Sequence, residues 1–146
     1  MFTLPKVLYL DYSKWRCGGR GKYKLGEGGN SLNNRDGYQC CLGQFSEQAG
    51  VNFTDKFHYG MPEDLPDEIE GLSFYGDGST IDTDLSTKAA EINDDYFLTT
   101  KERVRTLQEL FKQEGYVIKL RNFPEDILTE LGQFNEPTQD NNSGQG

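Results

Sequence analysis

A chain of 146 residues is the size of one domain with its own core, and a net charge of −9 argues against direct, non-specific binding to nucleic acid. Only 34% of the residues are hydrophobic while 12% are aromatic, so Phe and Tyr are expected to supply much of the core area. No stretch reaches the roughly 18 apolar residues of a membrane span.

The charge is unevenly spread. Residues 1–45 hold seven Lys/Arg and three acids, a local charge of +4, which leaves −13 on residues 46–146. Such a split marks a candidate binding face. Three cysteines exclude a complete disulfide framework, and adjacent Cys40 and Cys41 are poor partners for each other. Residues 1–10 lack the apolar stretch of a secretory leader, so a reducing, cytoplasmic setting is expected.

In chain order, Pro5–Leu10 reads as a strand of β-branched and aromatic residues, and residues 11–15 as a turn or one helical turn with Trp15 as a core anchor. Arg16–Asn30 follows, with six glycines in fifteen residues and the cations Arg16, Arg20, Lys22 and Lys24. Glycine lets backbone approach a ligand closely, and successive N–H groups form anion-binding nests. Arg16, Gly18, Gly19, Arg20, Lys22, Tyr23 and Lys24 are therefore the candidate ligand-binding residues, with Tyr23 able to stack on a base. The stretch has neither Walker spacing nor a dinucleotide fingerprint. A solvated surface loop is the plain alternative.

After a turn over 31–36, a helix beginning near Cys40 and Cys41 is expected to bury Cys41, Leu42, Phe45 and Ala49 and to stop at Gly50. Residues 51–59 alternate weakly as a strand. Residues 61–70 read as an acidic loop, and 72–75 as a short strand before a turn at 76–79. Leu85, Ala89 and Ile92 predict a helix over 84–94, capped by Thr83 or Asp84. Thr99 and Glu102 have capping-box spacing, and Val104, Leu107, Leu110 and Phe111 form the stripe of a helix ended by Gly115. Residues 116–120 read as a strand that pairs with 6–10, and Pro124 opens a short helix through Leu131. The expected fold is one α+β domain over residues 1–134, a small, mostly antiparallel sheet packed with three to four helices, followed by a disordered tail over 135–146.

Two further chemistries fit the residue types. A papain-like cysteine hydrolase would use Cys40 or Cys41 near a helix N-terminus, His58 as base and Asn93 or Asp94 to orient it, although the Cys-Gly-Ser/Ala-Cys-Trp/Tyr context is missing. The three cysteines with His58 have the composition of a zinc site, but adjacent Cys40 and Cys41 do not have its spacing, so neither metal nor cofactor is expected.

Trp15-Arg16, Gly26-Glu27-Gly28, Cys40-Cys41-Leu42-Gly43, Leu85 with Ile92-Asn93-Asp94, and the helix over 100–114 together resemble a family of small bacteriophage proteins with no settled activity, over roughly residues 6–120. The resemblance implies a phage accessory protein in the host cytoplasm, acting against host defence. It would act by binding rather than catalysis, either sequestering an anionic nucleotide-type signal at the basic segment or inhibiting a host defence protein. A basic segment facing an acidic face on another copy would also favour a homo-oligomer.

Overall fold

The computed structural model describes residues 2–15, 17, 39–51, 69–70, 80–95 and 97–137. The elements are β1 (Phe2–Thr3), β2 (Val7–Asp11), a 3₁₀ turn (Tyr12–Lys14), α1 (Cys41–Gln48), β3 (Ile69–Glu70), α2 (Thr80–Asp94), α3 (Thr100–Gln113), β4 (Val117–Arg121) and α4 (Glu125–Leu131).

The architecture is α+β, but its pairings are parallel rather than antiparallel. β2 runs alongside β4 from Val7↔Val117 to Asp11↔Arg121, and β1 alongside β3. The pairing of residues 6–10 with 116–120 was expected; its direction was not. An antiparallel pair can be joined by a hairpin, whereas β2 reaches β4 through a long crossover that includes three helices and re-enters at the same end. β3 also occupies the end of the stretch read as an acidic loop. Past Val51, the strand expected over 51–59 lies outside the described residues, as do the strand expected over 72–75 and the turn over 76–79.

Alternation in β2 and β4 sends Leu8, Leu10, Ile118 and Leu120 into the core, while Val7 and Val117 stay on the outer face. Against the inner face stand α1 and α3, with Phe45 and Phe111 meeting edge-on at a centroid distance of 5.2 Å. On α1, Cys41, Leu42 and Phe45 are fully buried as their spacing requires, and Gly50 takes the positive φ of 117° just past the helix end. α2 begins at Thr80, so Thr83 and Asp84 lie inside the helix rather than at its cap. The capping box of α3 is complete: the Glu102 N–H donates to Thr99 Oγ1 at 3.1 Å and the Thr99 N–H donates to Glu102 Oε1 at 2.9 Å.

A two-stranded sheet has two edges, and side-chain amides cover both. On the outer edge of β2, the Tyr9 N–H donates to Gln48 Oε1 and the Asp11 N–H to Gln44 Oε1, each at 2.7 Å. The same two amides donate back, Gln48 Nε2 to the Tyr9 carbonyl at 2.7 Å and Gln44 Nε2 to the Asp11 carbonyl at 3.0 Å. Two glutamines four apart on a helix thus match backbone groups two apart on a strand, since one helical turn (about 5.4 Å) is close to two strand residues (about 6.6 Å). On the far edge of β4, Gln108 Nε2 donates to the Ile118 carbonyl at 3.1 Å and the Glu136 N–H to the Leu120 carbonyl at 2.7 Å. The Asn135 amide exchanges two hydrogen bonds with the Phe123 backbone. Among the described residues no helix is long and apolar enough to cross a membrane.

Candidate binding site

The described residues on either side of the basic segment come together. Trp15 pairs with Gln39 in an isolated parallel bridge, and the Gln39 N–H donates to the Lys14 carbonyl at 3.0 Å. Residues 15 and 39, which flank the segment in sequence, therefore lie side by side immediately ahead of α1, and Cys17 is buried in the core. Arg16, Gly18, Gly19, Arg20, Lys22, Tyr23 and Lys24 lie outside the described residues, as does His58. What the structure builds is the base on which the segment stands.

Asn93, fully buried near the end of α2, ties that base together. Its Oδ1 accepts from the Trp15 indole Nε1 at 2.7 Å and from the Cys41 N–H at 3.0 Å, while its Nδ2 donates to Asp94 Oδ1 at 3.0 Å. The Cys40 side chain makes no capping hydrogen bond, so one of the donors orphaned at the start of α1 is satisfied from a different helix. Trp15, none of whose surface is exposed, packs on Phe123 at 6.0 Å, and Phe123 on Tyr12 at 5.0 Å.

The carbonyl end of α2 is closed by Arg103, only 5% exposed. One terminal nitrogen, Nη1, donates to the carbonyls of Ile92 at 2.9 Å, Asn93 at 3.3 Å and Asp95 at 2.7 Å; Nη2 donates to that of Leu98 at 2.9 Å. The guanidinium answers both the unpaired carbonyls and the negative end of the helix dipole, which makes an internal cation tolerable. The α2–α3 connection is thereby fixed beside the base.

Cys17, Cys40 and Cys41 are buried thiols, none of them in a disulfide. Burial pushes the Cys40 thiol up to about 12, with nearby Asp94 adding to the rise, and drives Cys41 well above the ordinary value for the same reason. Both are held as neutral thiols, opposite to the thiolate a nucleophile or metal ligand needs. Among the described residues no group of three or more His, Cys, Asp or Glu is arranged to hold a metal ion. Gln39, equally buried, has no acceptor for its Nε2 donor among the described residues.

The sequence pointed to Trp15 as an anchor and to Cys41 as core. It did not reveal Asn93 as the link between them, because a hydrogen bond spanning 78 positions has no periodic signature. Arg103 stands beside Val104 at the start of the α3 stripe, and a cation there was the available signal. Comparisons of the chain with protein-family models, curated proteins and solved structures gave no match.

Proposed function

We propose that this protein is a bacteriophage accessory protein that acts by binding, with Arg16, Arg20, Lys22, Lys24 and the glycines among them as the capture element for an anionic partner. The carrying observation is the anchoring at Trp15 and Gln39. That bridge brings together on a packed scaffold the residues flanking a cation- and glycine-rich stretch, and connections held by a rigid scaffold are where recognition residues concentrate. A buried Gln39 donor with no acceptor among the described residues also supports a site that takes an acceptor. The partner is an anionic nucleotide-type molecule or an acidic patch on a host defence protein. Neutral, buried thiols speak against the cysteine-hydrolase alternative with His58.

Native mass spectrometry of protein purified from bacterial cells tests the reading, before and after denaturation. A phosphate-containing molecule released on denaturation identifies the ligand, whereas apo protein directs the search to a protein target. The Arg16→Ala/Arg20→Ala double variant is expected to lose binding while keeping its unfolding midpoint. Undiminished binding in that variant would overturn the assignment.

A further inference from the structure

A polar concavity of about 270 Å³ opens beside β2 and β4, lined by Tyr9, Lys14, Glu47 and Arg121 together with Asp11 and the two edge-covering glutamines. Arg121 is its unusual member. The guanidinium carbon lies over the Tyr9 ring, 3.9 Å from the centroid, and the group has neither hydrogen-bond acceptor nor ion-pair partner among the described residues; its Nε is buried and unpartnered there. Asp11 sits directly across the register yet does not neutralise it. The Asp11 carboxylate is spent elsewhere: Oδ1 accepts from the Ser13 N–H at 2.9 Å, Ser13 Oγ at 2.7 Å and Asn122 Nδ2 at 2.9 Å. The amides of Gln44 and Gln48 are likewise committed to the strand edge.

We infer that this concavity is a carboxylate-binding site in which Arg121 is the recognition residue. It is independent of the basic segment. The Tyr9 ring beneath Cζ holds the guanidinium in place by a cation–π contact, and a planar, two-oxygen acceptor is the partner that a guanidinium matches in bidentate fashion. Below the roughly 300–1,000 Å³ of pockets that enclose whole ligands, the space suits a functional group rather than a molecule. Glu47 and Asp11 on the same wall set it against a dianionic phosphate, and Lys14 balances them in part. The carboxylate belongs either to a small acid or to an acidic side chain of a peptide.

Side-chain NMR of the Arg121 Nε–Hε group in the full chain provides the test, with acetate, a Glu-rich peptide and sodium chloride as separate titrants. The resonance is assigned by its loss in Arg121→Lys. A saturable shift with acetate and peptide but not with chloride is expected. Saturation by the peptide at about tenfold lower concentration than acetate assigns the source to a peptide, and equal midpoints assign it to a small acid. Arg121→Gln is expected to weaken binding about tenfold or more, as loss of a charge-assisted pair implies. Arg121→Lys keeps the stem and charge over Tyr9, so it guards against misfolding, and followed through shifts of neighbouring backbone amides it should lose binding as well. Absence of saturation, the same response to chloride, or unchanged affinity in Arg121→Lys overturns the proposal. The Arg16→Ala/Arg20→Ala variant should titrate like the parent, which separates failure here from failure at the basic segment.

Discussion

Asn93 makes hydrogen bonds to the indole of Trp15, the first amide of α1 and its neighbour Asp94. Replacement by Ala strands two buried donors, each worth about 1–3 kcal/mol when left unsatisfied, so Asn93→Ala is expected to lose about 2–5 kcal/mol in urea unfolding. A loss below 1 kcal/mol would show that the link is dispensable. The cysteines give a second expectation. Native protein at pH 8 should react negligibly with iodoacetamide, and all three thiols should react in denaturant, as counted by intact mass. A single fast-reacting cysteine in the native protein would restore the nucleophile reading. Asp11 gives a third. Burial alone would raise its carboxyl, but hydrogen bonds from Ser13 and Asn122 outweigh burial and bring it below the ordinary value of 3.8. Because the folded value is depressed, the stabilisation is present above the unfolded value and is lost as pH falls through the folded one. Asn122 has a φ of 59°, so Asn122→Gly removes the amide without adding strain. It should be less stable than the parent at pH 7, by about 0.5 kcal/mol for an exposed bond, and the gap should close below pH 3.8.

At the scale of elements, the pairing of α1 with β2 distinguishes two glutamines that look alike in sequence. Gln44 is buried, and truncation leaves the Asp11 backbone groups poorly solvated. Gln48 is exposed, and water replaces its amide. Gln44→Ala should therefore cost about 1–3 kcal/mol and Gln48→Ala about 0.5 kcal/mol, read from urea unfolding, with faster amide exchange at Asp11 and Tyr9 respectively. Equal effects would mean that the amides do not act as a surrogate strand. Elements set by local chemistry were legible in the sequence: the Thr99–Glu102 box, the stops at Gly50 and Gly115, and the core face of α1 all follow from residues within one or two turns. Strand direction was not, since Val7 and Val117 meet across most of the chain and either direction satisfies the same alternation. The start of α2 was missed because its first turn, Thr80-Ile81-Asp82-Thr83, carries no apolar stripe and reads as turn residues.

For the whole molecule, composition located the candidate segment but not its support. The run of cations and glycines is visible in any reading of residues 16–30, whereas Trp15, Gln39, Asn93 and Arg103 become a unit only when α1, α2 and α3 are packed. The same holds for Arg121, an ordinary strand residue in sequence that stands out once Asp11 is seen to be engaged by Ser13 and Asn122. A chain with a net charge of −9 thus keeps Arg121, with no anionic partner among the described residues, on one concavity with Lys14, one residue from the anchor of its most basic stretch.

Trp15 is the only tryptophan in the chain. Its indole lies wholly inside the protein, donates to Asn93 and abuts Phe123. All tryptophan emission therefore comes from the point where the basic segment is rooted. Opening of that root would shift the spectrum to longer wavelength while the far-UV circular dichroism of the helices holds, so the two signals together separate loosening of the base from global unfolding.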